Sequence, residues 1–304
     1  MIPELLKKLR KVRGVSVNSG ATAEAIEAFQ KRTGVRLTDE LLSFYRVSDG
    51  MGFDNEASKI LSLDEAAQMK NQLEEFGIRR SWEYLPITED NTSNPVCVGC
   101  REPLAGYLVQ VFHDDSPKIK WRSLPSLLEK MPNHLEQGEW EFEGVPSDFV
   151  ESERTEADVA TARKLLAAVR RDGVPDVERT DGCIFAAWLF GEDQISEIAA
   201  LLDTEDEYVR REICERLRAL ETQRADEILR DYDQRVQAFV KHCGELLQKA
   251  GLRQQIHNNT QLEVVDGPFH LNMDSFYSDK TRSDFATFFV GRVRQMLEQK
   301  KSAT

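Results

Sequence analysis

The hydrophobic period of the chain changes from 3.6 to 2 near residue 82 and returns to 3.6 at residue 123, which few folds accommodate. Ahead of the switch, Ile2, Leu5, Leu6, Leu9 and Val12 lie at helical spacing with basic residues on the other side of the wheel. Thr22 is placed to cap a helix carrying Ile26 and Phe29, which Gly34 ends. Thr38 and Asp39 open another helix with Leu41, Leu42, Phe44, Tyr45 and Val47, closed by Ser48, Asp49 and Gly50. Residues 63–76 form a further helix with Ala66, Met69, Leu73 and Phe76 as its stripe. After the switch, short β-branched and aromatic runs at 84–87, 96–98, 107–112 and 119–121 are separated by turn residues, predicting a meandering antiparallel sheet. Ser123 caps a closing helix with Leu124, Leu127, Leu128 and Met131. Residues 20–131 are therefore expected to be an α+β unit of helices packed on an antiparallel sheet.

That unit carries an ordered set of short motifs. Phe29, Gly34 and Leu37 read F-x-x-x-x-G-x-x-L, and the next helix holds Phe44-Tyr45 and ends in Asp49-Gly50. Leu85, Pro86, Ile87 and Asp90 read L-P-I-x-x-D; Trp121, Ser123, Leu124, Leu127 and Leu128 read W-x-S-L-x-x-L-L. This order resembles the SUKH superfamily, which includes fungal cell-wall regulators of the Knr/Smi type and bacterial immunity proteins that neutralise toxins. Two positions depart from the family pattern: Thr38 stands where Pro is usual and Asp49 where Asn is common. The resemblance implies a non-catalytic protein-binding domain and is silent on residues 132–304.

Residues 136–158 hold nine carboxylates against Arg154 alone, beside Gly138, Gly144 and Pro146. Like charges repel and extend a chain, so this block reads as an acidic linker, with an acidic docking strip as the alternative. The expected division is a SUKH-like domain over 1–135, including the N-terminal amphipathic helix and able to fold alone, a linker over 136–158, and a mostly helical region over 159–304. The N-terminal helix is expected to pack on the body of its domain, although a partner would suit the same stripe. In the last region, Val159, Ala162, Leu165, Leu166 and Val169 make one stripe and residues 184–190 another. Residues 195–202 and 208–220 have the look of a HEAT-type pair, but one pair is no array, and a helical bundle is expected. Residues 228–247, a hairpin over 262–265 and 269–273, and a helix over 284–297 make a small α-β-β-α element.

The formal charge of -13 opposes binding to phosphate backbones, so no nucleic acid is expected as a partner. No apolar run approaches the roughly 20 residues of a membrane span, so no membrane insertion is expected. Basic N-terminal residues are followed by no apolar core of a secretory signal, and five thinly spread cysteines fit reduced thiols, which together suggest a cytoplasmic protein. Cys97 and Cys100 have zinc-ligand spacing without a second pair, and read as strand residues. His113, Asp114 and Asp115 fit a polar turn better than an acid-base cluster, and His134, His242, His257 and His270 fall in separate elements. The sequence contains no nucleophile elbow, phosphate loop or metalloprotease motif. The expectation is no catalytic residue, no metal and no cofactor. Aromatics at strand positions, with acids at strand ends, nominate Trp82, Glu89, Asp90, Asp114, Asp115 and Trp121 for contact with a protein of basic surface. The leading reading is an immunity-type module that neutralises a toxin. An intracellular scaffold or regulator of the Knr/Smi type is the alternative, and an enzyme with a diffuse carboxylate site is a third.

Overall fold

The computed structural model describes residues 1–54, 58–75, 83–90, 92, 94–112, 116–150, 153–204, 206–257, 261–265 and 269–303. Helices and antiparallel sheets are combined in an α+β arrangement, and the contacts divide the chain into two compact units, Met1–Gly191 and Glu192–Thr304.

The first unit begins with α1 (Ile2–Leu9), β1 (Val15–Val17), α2 (Ala23–Thr33) and α3 (Asp39–Val47). Ile2, Leu5, Leu6 and Leu9 of α1 are buried in the same core as α2 and α3, so the amphipathic helix docks on its own domain and turns its basic side to solvent. Thr22 and Thr38 cap α2 and α3, accepting from the Ala25 and Leu41 amides at 3.2 and 3.4 Å. Gly34 ends α2 at φ 70°, a conformation that glycine adopts without a Cβ penalty.

Next come β2 (Met51–Phe53), β3 (Lys59–Ile60), α4 (Leu63–Glu75), β4 (Tyr84–Pro86), β5 (Thr88–Glu89), β6 (Val96–Gly99), β7 (Leu108–Gln110) and β8 (Lys118–Trp121). The expected meander is present as β4-β6-β7-β8, antiparallel throughout. A second sheet, β1-β2-β3-β5, was not expected. Its strands are two or three residues long, too short to display a period of 2, and β1 lies among the helices, between α1 and α2. Ile87 links the sheets, donating to the Val96 carbonyl at 2.8 Å while its own carbonyl accepts from Leu61 N at 2.9 Å. The stripe expected on α4 is partly realised: Leu63, Ala66 and Ala67 are buried, Met69 and Leu73 half-buried, and Phe76 lies outside the described residues.

The closing helix α5 (Leu124–Glu136) is capped by Ser123, which accepts from Ser126 N at 3.2 Å. Residues 136–158 do not form the solvated linker expected of their composition. Phe142, Val145 and Phe149 are buried, the first two within the core shared by α1 to α5. The reason is period rather than composition, since Phe142 and Val145 give the backbone anchors that outweigh the cost of bringing acids close to the surface. Helices α6 (Glu156–Val169) and α7 (Asp176–Leu189) pack on each other, and α7 also meets β8. The boundary expected at 136–158 thus falls inside the first unit.

The second unit contains α8 (Ile195–Ala200), α9 (Glu207–Arg218), α10 (Gln223–Lys249), β9 (Gln254–Ile256), β10 (Gln261–Val264), β11 (Phe269–Asn272), α11 (Asp274–Tyr277) and α12 (Phe285–Ala303). Its core is aromatic: Phe239 meets Tyr277 and Phe285, and Phe289 meets Phe276 and Phe285. The expected hairpin is β10-β11, and β9 adds a third strand that the polar Gln254-Gln255 pair concealed. Among the described residues no helix is long and apolar enough to cross a membrane.

Because residues 136–149 complete the core, a fragment of residues 1–191 is expected to unfold in one transition, and one ending at 135 to be less stable. Phe142→Ala should cost about 3–5 kcal/mol in urea unfolding. A loss below about 0.5 kcal/mol, as for an exposed surface position, would contradict this packing.

Candidate partner-binding surface

Of the residues nominated from the sequence, Trp82, Asp114 and Asp115 lie outside the described residues. Trp121 and Asp90 are not available to a partner. The Trp121 ring is fully buried, and its Nε1–H donates to the Pro146 carbonyl at 2.9 Å. The Asp90 carboxylate turns inward, accepting from Thr92 N at 2.9 Å and Phe142 N at 3.4 Å. Strand-end acids satisfy local amides as readily as they face solvent, so position at a strand end did not distinguish the two roles. Glu89 is half-buried and shares Lys59 with Glu65, at 3.0 and 2.8 Å.

A run of acids that face solvent comes from the segment read as a linker. Along residues 139–143 the chain alternates Glu139, Trp140, Glu141, Phe142, Glu143. Phe142 points into the core, Trp140 is half-buried against Phe53, and Glu136, Glu139, Glu141 and Glu143 are exposed. The backbone beneath them is held. His134 is buried, its Nε2–H donating to the Glu141 carbonyl at 2.9 Å while Nδ1 lies 3.0 Å from Glu139. Lys120 donates to the Glu143 carbonyl at 2.6 Å, and burial pushes its ammonium down to about 8. Gly144 is required by close approach, as a Cβ there would lie 2.7 Å from the His134 ring. Four exposed glutamates flanking a half-exposed indole along the chain, on a fixed backbone, form the candidate surface. Alternation of acid and aromatic was the signal for it, and averaging the charge over the whole block hid that signal.

The other acids of the block bind the unit internally. Asp158 is fully buried, accepting from Arg122 Nε at 2.9 Å and from the Tyr107 hydroxyl at 3.0 Å, and it completes a capping box with Thr155. Asp148 accepts from Arg122 N at 2.8 Å and from Lys130 at 2.5 Å. Burial alone would raise its carboxyl, but the Arg122 amide, Lys130 and Ser126 outweigh that and hold it below the usual range. An open hollow of about 440 Å³ beside Asp148 includes Arg122, Lys130 and Arg154 in its lining. These cations are engaged: Arg122 with Asp158, Lys130 with Asp148, and Arg154 with the Trp188 and Phe149 carbonyls.

Cys97 and Cys100 are three residues apart, and side chains an odd number apart along an extended chain point to opposite faces. Burial raises the Cys97 thiol strongly and pushes that of Cys100 up to about 12.

Residues 20–130 match the SMI1 / KNR4 family (SUKH-1), a little over a third of the chain and the stretch in which the short motifs fall. They constitute a SUKH superfamily domain, which fits an immunity or Knr/Smi-type protein. No curated protein matches the chain.

The Asp148 anchor has a definite pH signature. Its carboxyl is depressed in the folded state relative to 3.8, so its stabilisation is present above that pH and is lost as pH falls through the folded value. Melting temperatures measured from neutral to acid pH should fall less steeply below about 4 in Asp148→Asn, which starts from a lower value at neutral pH. An identical acid limb in the variant would contradict the assignment.

Proposed function

We propose, from the premise that residues 20–130 are a SUKH superfamily domain, that the chain is a cytoplasmic protein-binding module of the immunity type, which neutralises a toxin by covering it. The observation that carries this reading is the anchored strip of Glu136, Glu139, Glu141 and Glu143 flanking Trp140 along the chain. A surface already held by Phe142 and Val145 loses little conformational freedom when a partner docks. A half-exposed indole is the kind of side chain that supplies binding energy at the centre of an interface, and carboxylates flanking it favour a basic partner. The charge of -13 supports the same sign of partner by steering it over longer distances. Occlusion needs area and complementary charge and calls for no catalytic group. The family name equally supports a second reading, a regulator of the Knr/Smi type, in which the same strip would hold a cellular protein.

A toxin encoded beside this chain is the partner to test. Co-expression should restore growth of cells making it, and the association rate should fall as salt rises through about 0.15 M, where the screening length is roughly 8 Å. Glu139→Lys with Glu141→Lys and Glu143→Lys should slow association about tenfold or more, and Trp140→Ala should speed dissociation by about tenfold or more. Binding that is indifferent to salt and to these changes would reject the strip. Binding to a cellular protein without rescue from any toxin would select the regulatory reading.

A further inference from the structure

In the second unit the sheet gathers three donors that the binding role does not use. Glu263 of β10 pairs with His270 of β11 and with Gln255 of β9, and His257 follows β9, its amide donating to the Gln261 carbonyl at 3.3 Å. Cross-strand partners share a face, and so do residues two apart on one strand. His257, Glu263 and His270 therefore stand on one face, although in sequence they belong to three separate elements. On the opposite face Leu262, Val264 and Leu271 are buried, and α10 packs against β9 and β10. The backbone beneath the three donors is thus fixed by the core, while both histidines are exposed and Glu263 is half-exposed.

One donor atom from each residue can be chosen so that all lie within 4.8 Å of one another. His257 Nε2 is 2.6 Å from a Glu263 carboxylate oxygen, and the two imidazoles meet edge to face with centroids 5.3 Å apart. Among the described residues no other group of His, Cys and carboxylate donors converges in this way. Two imidazoles and a carboxylate are a zinc donor set, with bonds of about 2.0–2.2 Å and a fourth position taken by water. Tetrahedral bonds of that length set donors about 3.3 Å apart, so the widest pair must close by about 1.5 Å, which small rotations of exposed side chains provide. We infer that His257, Glu263 and His270 form a binding site for one zinc-class divalent cation on the open face of the β9-β10-β11 sheet. This replaces the expectation from sequence that the chain has no metal site, and it is independent of the strip in the first unit.

Titration calorimetry of the tag-free full chain with Zn²⁺ tests the inference, with Co²⁺ absorption as the reporter of nitrogen and oxygen ligation. One equivalent of zinc should bind, and the Co²⁺ spectrum should lack thiolate charge transfer. Loss of an outer partner of a ligand already weakens zinc binding by roughly 10- to 100-fold, so His257→Ala or His270→Ala should cost at least that. Both positions are exposed, and Glu263→Gln, which keeps the strand residue's size, provides a second variant if either alanine lowers the apo melting temperature. Cys97→Ser with Cys100→Ser should leave affinity unchanged. Absence of zinc binding, or binding that survives the His257→Ala, His270→Ala double variant, would overturn the inference.

Discussion

The first unit depends on a hydrogen bond that the SUKH domain does not close by itself. Trp121 is fully buried, and its indole N–H finds its acceptor at Pro146, beyond the family match. A buried donor left unpaired costs about 1–3 kcal/mol, so the chain after α5 is drawn back over the ring. Phe142 and Val145 enter the same core, and Asp148 and Asp158 reach Arg122 on the strand side. Everything else about residues 136–158 follows. Once the apolar and two of the acidic side chains are committed inward, Glu136, Glu139, Glu141 and Glu143 are left exposed, Glu139 reaching back to His134 at 3.0 Å.

Fold class was legible because helix and sheet signals in 20–131 agree with their caps. Thr22, Thr38 and Ser123 all cap where a hydroxyl precedes a hydrophobic stripe, and the meander falls where the period becomes 2. The sheet β1-β2-β3-β5 was illegible because its pairing is long-range: Val15 meets Phe53, and Ile60 meets Thr88, on strands too short for a pattern. Trp121 and Asp90 carried the right chemistry for an interface, but burial is a property of what packs on top of them, which a strand pattern does not encode. The linker was misread for a related reason. Averaged over 23 residues its charge suggests repulsion, whereas the two anchors that decide its path sit among the acids.

The basic residues of α1 lie outside because the helix is held by its apolar stripe, and Glu4 among them pairs with Lys7 at 2.7 Å. In the second unit, strand pairing alone unites His257 with His270, an arrangement invisible to spacing because it depends on the register of three strands.

Hydrogen exchange of the free full-length chain tests the central claim most directly, since it reads the backbone of residues 139–149 without any partner. An anchored segment predicts that the Gly144, Val145 and Asp148 amides, which donate to Glu141, Phe142 and Lys120, exchange slowly and gain speed together when Phe142 is replaced by alanine. Exchange at the unprotected rate in the parent protein would mean that the segment is a solvated connector and that its acids form no fixed surface.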